Sequence, residues 1–316
     1  MKARAVTSLS NSIYIDRKRK ATVESAAQAI FSCCAHFAVL SVAAITLYML
    51  LNGTPAFVQA GFKEILFTTA WEPTAAEPKY GILYVILTSL MGTAMAILIG
   101  VPVGILTAVY LAEVADKKTA AVVKPAIELL AGIPSVIYGM LGLHLLTPLM
   151  YKLELQLFRN SATHRFTGGA NLLSAALVLA IMILPTVINI SETSIRSVNP
   201  GLKEASLALG GSRVQTIFQT VLPAAKPGIV TGVVLGVGRA IGEATAITMV
   251  SGGSVNAPLP FHSVRFLTTA IVSEMGYSSG THRQMLFTVG LVLFVFIMFI
   301  NLFLTEILKR GTEEHG

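Results

Sequence analysis
A guanidinium and a carboxylate, Arg239 and Glu243, stand four residues apart in the run GRAIGEATAITMVSG (238–252), which is otherwise free of charge. Arg239 lies 13 residues beyond Lys226. At helical rise that is roughly 20 Å, near the middle of a bilayer-crossing segment. A charge at that depth costs about 2.5–3.5 kcal/mol even on a lenient scale, so Arg239 should face a cavity or a partner. The chemistry on offer is anion binding: a guanidinium stays charged and presents several donors in a planar fork. Glu243 at i+4 is expected to share a helix face with Arg239 and to pair with it. The residues alone leave two readings open. Either the pair lines a path for an anion, Glu243 competing for Arg239 on release, or it locks helix packing.

Two further constellations carry charge in a pattern. Glu192 and Arg196 form a second i,i+4 pair, expected to sit at the membrane interface and to be mainly structural. The segment NPGLKEASLALGGSRVQTIFQTVLP (199–223) is polar and lies between two apolar stretches. Asn199 can cap a helix whose first residue is Pro200. Gly210-Gly211 is expected to end that helix, Ser212 to cap a second short one, and Pro223 to stop it. Leu202, Ala205, Leu207 and Leu209 give the first helix apolar surface. Such a knob fits a groove on a soluble partner.

The elements that must position these residues follow from composition. The chain has 316 residues, 54% hydrophobic and 12% charged, and a mean hydropathy of +0.72. A soluble domain carries about 25% charged residues, so this chain reads as an all-α polytopic membrane protein. Six spans are expected at about 27–51, 82–111, 121–150, 172–190, 226–250 and 285–308. The first reads as an uncleaved helix, since it starts late and no A-x-A-like site closes it. The organisation is then an N-terminal tail (1–25), a first span with its outer loop (26–81), a core (82–310) and a C-terminal tail (311–316).

Of the 23 Lys and Arg, most fall in the N-tail, the second-to-third and fourth-to-fifth connections and the C-tail. That bias puts both termini and residues 199–223 in the cytoplasm. Gly92, Ala96, Gly100 and Gly104 recur every four residues, as do Gly228, Gly232 and Gly236. These rows let helices pack closely in lipid. Pro102, Pro125 and Pro134 can kink or break the second and third spans.

Several activities lack their residues. No Gly precedes a Lys, so the chain has no phosphate-binding P-loop. Gly236 to Gly242 reads G-x-G-x-x-x-G, one residue too long for a dinucleotide fingerprint and inside a span. The six His never reach metal-ligand spacing. Cys33 and Cys34 are adjacent and give neither a disulfide framework nor a metal site. No nucleophile elbow is present, and the flanking membrane spans leave no route for 199–223 into a DNA groove. Nothing here argues for an enzyme.

Glu204-Ala205-Ser206, Gly210 six residues after the Glu, and Leu222-Pro223 resemble the EAA loop of binding-protein-dependent ABC importers. The chain departs from that pattern at Ser206, where Ala is usual, and at Thr220, where Ile is usual. ELLAGIPSVIYGMLG (128–142), Trp71-x-Pro73 with Tyr80-Gly81-Ile82-Leu83, and GRAIGEATAITMVSG are similar to stretches of phosphate importer permeases of the PstC type.

The resemblance implies a type I importer permease (MetI-like) fold in the bacterial inner membrane. It implies a PstA-type sister permease, a dimeric PstB-type ATPase that binds ATP and magnesium, and a periplasmic PstS-type phosphate-binding protein. It makes Glu204, Ala205, Gly210, Leu222 and Pro223 the ATPase-coupling loop, and Arg239 and Glu243 the substrate pathway. No cofactor is implied for this chain itself, and no nucleic acid. Other readings are a permease of the same fold for molybdate or sulfate, and an ion-coupled secondary transporter.

Overall fold
The computed structural model describes residues 2–313. The basic side chains before Lys20 and those after Glu306 lie outside the described set, as do residues 314–316 of the expected C-terminal tail. Residues 1–52 form one compact unit and residues 53–316 another.

The first unit is helical and belongs to α1 (Lys2–Ala60). Its apolar stretch Val23–Val58 is long enough to cross a membrane. Cys33 and Cys34 are exposed on it and unbridged.

The second unit opens, after the end of α1, with α2 (Phe62–Phe67) and a two-stranded ribbon of β1 (Trp71–Glu72) and β2 (Lys79–Tyr80), Trp71 opposite Tyr80. Then come α3 (Leu83–Val109) with a wide π turn at Tyr110–Val114, α4 (Lys117–Gly132), and α5 (Ser135–Leu141) with a π turn at Gly142–Leu146. The chain continues through α6 (Thr147–Leu157), α7 (Leu172–Arg196), α8 (Pro200–Ala208), and α9 (Arg213–Thr216) with a π turn at Ile217–Val221. It ends with α10 (Leu222–Gly242), α11 (Thr245–Val250), α12 (Leu267–Glu274) and α13 (Gly280–Glu313). Among the described residues, six stretches are long and apolar enough to span a membrane: Val23–Val58, Leu83–Val114, Ser135–Leu157, Leu172–Arg196, Arg213–Gly242 and Gly280–Phe303.

The centre of the bundle is α7, flanked by α3 and α10. Both small-residue rows face it. A Cβ added at Gly100 would lie 2.9 Å from the Ala180 carbonyl oxygen and from Ile183, and one at Gly104 2.8 Å from Val187. From the other side, Gly232 meets Ile190 and Gly236 meets Val187. Close approach is what lipid-embedded helices gain from small residues, since no hydrophobic drive favours their association there. Gly100→Ala is therefore expected to cost about 1–3 kcal/mol through overpacking. Gly238→Ala, with nothing within 4 Å of its Cβ position, is expected to be neutral or slightly stabilising. Thermal unfolding of the two variants in detergent checks the contrast.

Three expectations need correction. The third span, expected at 121–150, is broken at Pro134 as that proline allows, so its bounds shift. It breaks at Ile133 and Pro134, which are extended, and the crossing stretch is Ser135–Leu157. Proline has no N–H and biases the residue before it away from helix, which places the break. Pro102 and Pro125 stay inside their helices.

Pro223 does not stop the second short helix either. The π turn Ile217–Val221, closed by the Leu222 N–H donating to the Ile217 carbonyl, carries the chain into α10 with Pro223 in its first turn. Widening by one residue relieves the clash a proline ring makes with the carbonyl four residues earlier. The π turn before Pro148 is built the same way.

The fifth span, expected as 226–250, ends as a helix at Gly242 and resumes at Thr245.

Candidate functional site
The two broken spans meet. α5, which begins just after the Pro134 break, packs on α11, which begins just after the Gly242 break. A Cβ at Gly139 would lie 2.7 Å from the Met249 sulfur and 2.9 Å from the Ala246 Cα, so Gly139 permits the approach. Tyr138 is 6% exposed. Its hydroxyl reaches back across the Pro134 break to donate to the Leu130 carbonyl at 2.7 Å. Arg239, half-buried in the last turn of α10, lies within electrostatic reach of Tyr138.

The helical pair expected between Arg239 and Glu243 is not formed. Glu243 lies beyond the end of α10 in extended conformation (φ −73, ψ 131) and has left the helix face that carries Arg239. Its carboxylate instead accepts from the Ala246 N–H at 2.9 Å, and its carbonyl accepts from the Thr268 hydroxyl at 2.8 Å. Arg239 makes no ion pair or hydrogen bond among the described residues. A half-buried guanidinium with all its donors unspent is costly in a membrane unless a ligand or another subunit meets it. Irregular backbone at membrane depth is tolerated where it is buried in protein or lines a cavity. The site thus combines a cation that is unpaired among the described residues, a tyrosine and two interrupted helices.

The cap residues of the 199–223 segment behave as expected. The Asn199 side chain accepts from the Gly201 N–H at 2.9 Å, with Pro200 opening α8. Gly210 takes φ +87, the left-handed geometry that favours glycine, and ends the helix turn. Ser212 and Gln215 form a reciprocal capping box. The Ser206 and Thr216 hydroxyls meet at 2.9 Å and hold the two short helices together. α8 buries no residue. Glu204, Ala205 and Gly210 are exposed, and so are Leu202, Leu207, Leu209, Val214 and Phe218. Leu222 and Pro223 lie in the first turn of α10 and are partly buried.

The Glu192–Arg196 pair forms within α7, with Arg196 Nε donating to Glu192 Oε1 at 2.8 Å. Glu192 is 1% exposed and also meets Lys124 of α4 at 3.4 Å. Next to this junction, Asp116 caps α4 by accepting from the Thr119 N–H. Hydrogen bonding to Thr119, with its side chain the leading cause, holds the Asp116 carboxyl below the usual carboxylate range. The cap is therefore present at neutral pH and fades as pH falls through that lowered value.

Two polar clusters have no counterpart in the sequence reading. Glu154 of α6 is fully buried against the connection to α7. It accepts from the Thr167 N–H at 2.9 Å and the Thr167 hydroxyl at 3.0 Å, and it pairs with His164 at 2.8 Å. The imidazole stacks on Phe158, ring centres 3.9 Å apart. His164→Ala would leave the carboxylate only its two bonds from Thr167 and is expected to cost about 2 kcal/mol, read as a lower unfolding temperature in detergent. The second cluster centres on Glu274, which binds Arg265, His282 at 2.8 Å and the Trp71 indole N–H at 3.1 Å. Trp71 and the end of α12 are thereby tied together. The spacings involved, 10 and 203 residues, lie outside any local periodicity.

Residues 100–313 match the family described as binding-protein-dependent transport system inner membrane component. The chain is 38% identical to a probable ABC transporter permease protein, YqgH of Bacillus subtilis, over 93% of this chain and 95% of that protein. It is 32% identical to the phosphate transport system permease protein PstC of Xylella fastidiosa, over 89% of each, and 33% identical to that of Pasteurella multocida over 82% and 83%. Among solved structures, a bacterial ABC transporter that imports the acidic polysaccharide alginate aligns with TM-score 0.59 at 19% identity, over 86% of this chain and 90% of that one. The MetNI methionine ABC transporter in an inward-facing form aligns with TM-score 0.50 at 20% identity, over 73% and 94%. These likenesses place the fold among type I ABC importer permeases.

Proposed function
The chain belongs to the family of binding-protein-dependent transport system inner membrane components, and from that premise we propose that it forms one half of an ATP-driven path for phosphate. That it is a multi-pass inner-membrane permease of an ABC importer follows from the family and its six apolar spans. The phosphate assignment is carried by one observation: Arg239 is half-buried, unpaired among the described residues, and set where two interrupted spans meet. Relatives named as phosphate permeases, at about a third identity over most of the chain, support the same substrate.

Phosphate at neutral pH is a compact anion rich in acceptor atoms. A guanidinium fork satisfies two of its oxygens at once, and its charge survives any pH at which the cell lives. Glu243 sits four residues on, turned toward the start of α11, where its negative charge opposes overly tight retention. A PstA-type sister permease faces this chain across a pseudo-two-fold axis and completes the path. A PstS-type binding protein delivers phosphate from the periplasm.

A dimeric PstB-type ATPase, which holds the ATP and magnesium, receives the exposed apolar knob of α8 and α9. Glu204, Ala205 and Gly210 form its outer surface, and Leu222 and Pro223 form its root in α10. Closure of the ATPase opens the permease pair outward, and hydrolysis resets it inward. Both termini face the cytoplasm in this arrangement, and the chain performs no covalent chemistry.

The test is labelled-phosphate uptake into vesicles holding this chain with its candidate partners, with and without ATP. Uptake that requires ATP supports the reading. Uptake that runs on an ion gradient with the ATPase absent makes the chain a secondary transporter instead.

A further inference from the structure
α8 buries no side chain of its own, so its fastening to the membrane body rests on specific polar links. One link, Ser206 to Thr216, ties α8 to α9. The other crosses to a different helix: Lys203 pairs with Glu113 in the π turn Tyr110–Val114 that closes α3. It is the one ion pair α8 makes among the described residues, and it is sheltered, with 27% of the Lys203 side chain and 13% of the Glu113 side chain exposed. The same π turn is gripped from α7, where Arg196 Nη2 donates to the Leu111 carbonyl at 2.7 Å. Beyond the turn the backbone stays helical into α3, whose Gly100 and Gly104 pack tightly on α7.

We propose that the Lys203–Glu113 pair is the mechanical link that carries movement of α8 into α3, with the π turn as its anchor. A wide turn is easier to twist than a regular one and is a recurrent place for function in helices. Movement of α8 pulls the Glu113 carboxylate, the turn pivots about the Arg196–Leu111 bond, and α3 slides on α7 along its own small-residue face at Gly100 and Gly104. The pair is thus a positioning element and touches no substrate. The proposal rests on residues 199–223 docking the ATPase.

The experiment measures phosphate imported per ATP hydrolysed in the reconstituted full complex. Lys203→Glu and Glu113→Lys are each expected to lower that ratio at least about fivefold, and the double exchange to restore it to within about twofold of wild type. A pair serving only surface stability contributes little and would leave the ratio unmoved. A second readout needs no knowledge of the substrate: spin labels at the exposed Leu209 and Val114. Their separation is expected to stay fixed through the ATP cycle in wild type and to vary in Lys203→Glu.

Singles with a wild-type ratio, or an exchange no better than the singles, overturn the link. So does a label separation that varies in wild type. A wild-type chain that fails to bind the ATPase overturns the docking reading and the link together. Normal wild-type coupling with insensitive variants overturns the link alone.

Discussion

Arg239→Gln is expected to cut ATP-driven phosphate uptake by at least about 100-fold while leaving the assembled complex and its basal ATP hydrolysis intact. Gln keeps a polar end but loses the charge and the fork. Hydrogen bonds to a charged group contribute about 1.5–3 kcal/mol each. Losing about 3 kcal/mol of binding to the passing anion corresponds to roughly a hundredfold. The change breaks no ion pair or hydrogen bond of the fold, since Arg239 makes none among the described residues. Arg239→Lys should recover part of the activity, because a point charge remains but two-point contact with the anion is lost. Initial uptake rates in proteoliposomes, with subunit ratios checked by gel, decide it. Wild-type rates in Arg239→Gln would remove the residue from the mechanism.

Glu204→Lys is expected to separate ATP hydrolysis from transport. Glu204 is exposed on α8 beside Leu202 and Leu207, and it has no partner of its own among the described residues. A carboxylate in that position is available to a cation on the docked ATPase. Removing one partner of a charge pair at an interface costs about 2–5 kcal/mol, and reversing its sign adds repulsion. The expected readout is ATP hydrolysis that continues with uptake reduced at least about tenfold. Weakened retention of the ATPase on affinity purification would mark the same surface. Coupling that survives unchanged would take Glu204 out of the docking face.

Much of the membrane architecture was legible because lipid imposes period and length. Six apolar stretches reappear among the described residues, the third and fifth with shifted bounds, and the two small-residue rows meet on α7 as close packing requires. Local punctuation was equally readable in 199–223: Asn199, Pro200, Gly210 and Ser212 occupy the cap and turn positions their chemistry favours.

What escaped was backbone that leaves its expected path in response to neighbours. The i,i+4 spacing of Arg239 and Glu243 held only if one helix ran through both, and α10 stops between them. Gly238 and Gly242 in the run were the available hint, since Gly- or Pro-interrupted spans point to binding sites in transporters. Pro134 carried the same hint in the third span. Pro223 misled for the opposite reason, because a π turn absorbed it. The Glu154 cluster joins residues ten apart that share no helical or strand period, and Glu274 reaches Trp71 from 203 residues away.

The claim that phosphate is the cargo meets its most direct test in side-by-side initial uptake of labelled phosphate, sulfate and molybdate by the complete wild-type complex energised with ATP. The expected result is rapid phosphate uptake that persists in excess sulfate or molybdate, with neither of those anions accumulating. Accumulation of sulfate or molybdate in preference to phosphate, by a complex that hydrolyses ATP normally, would contradict the substrate assignment while leaving the permease fold in place.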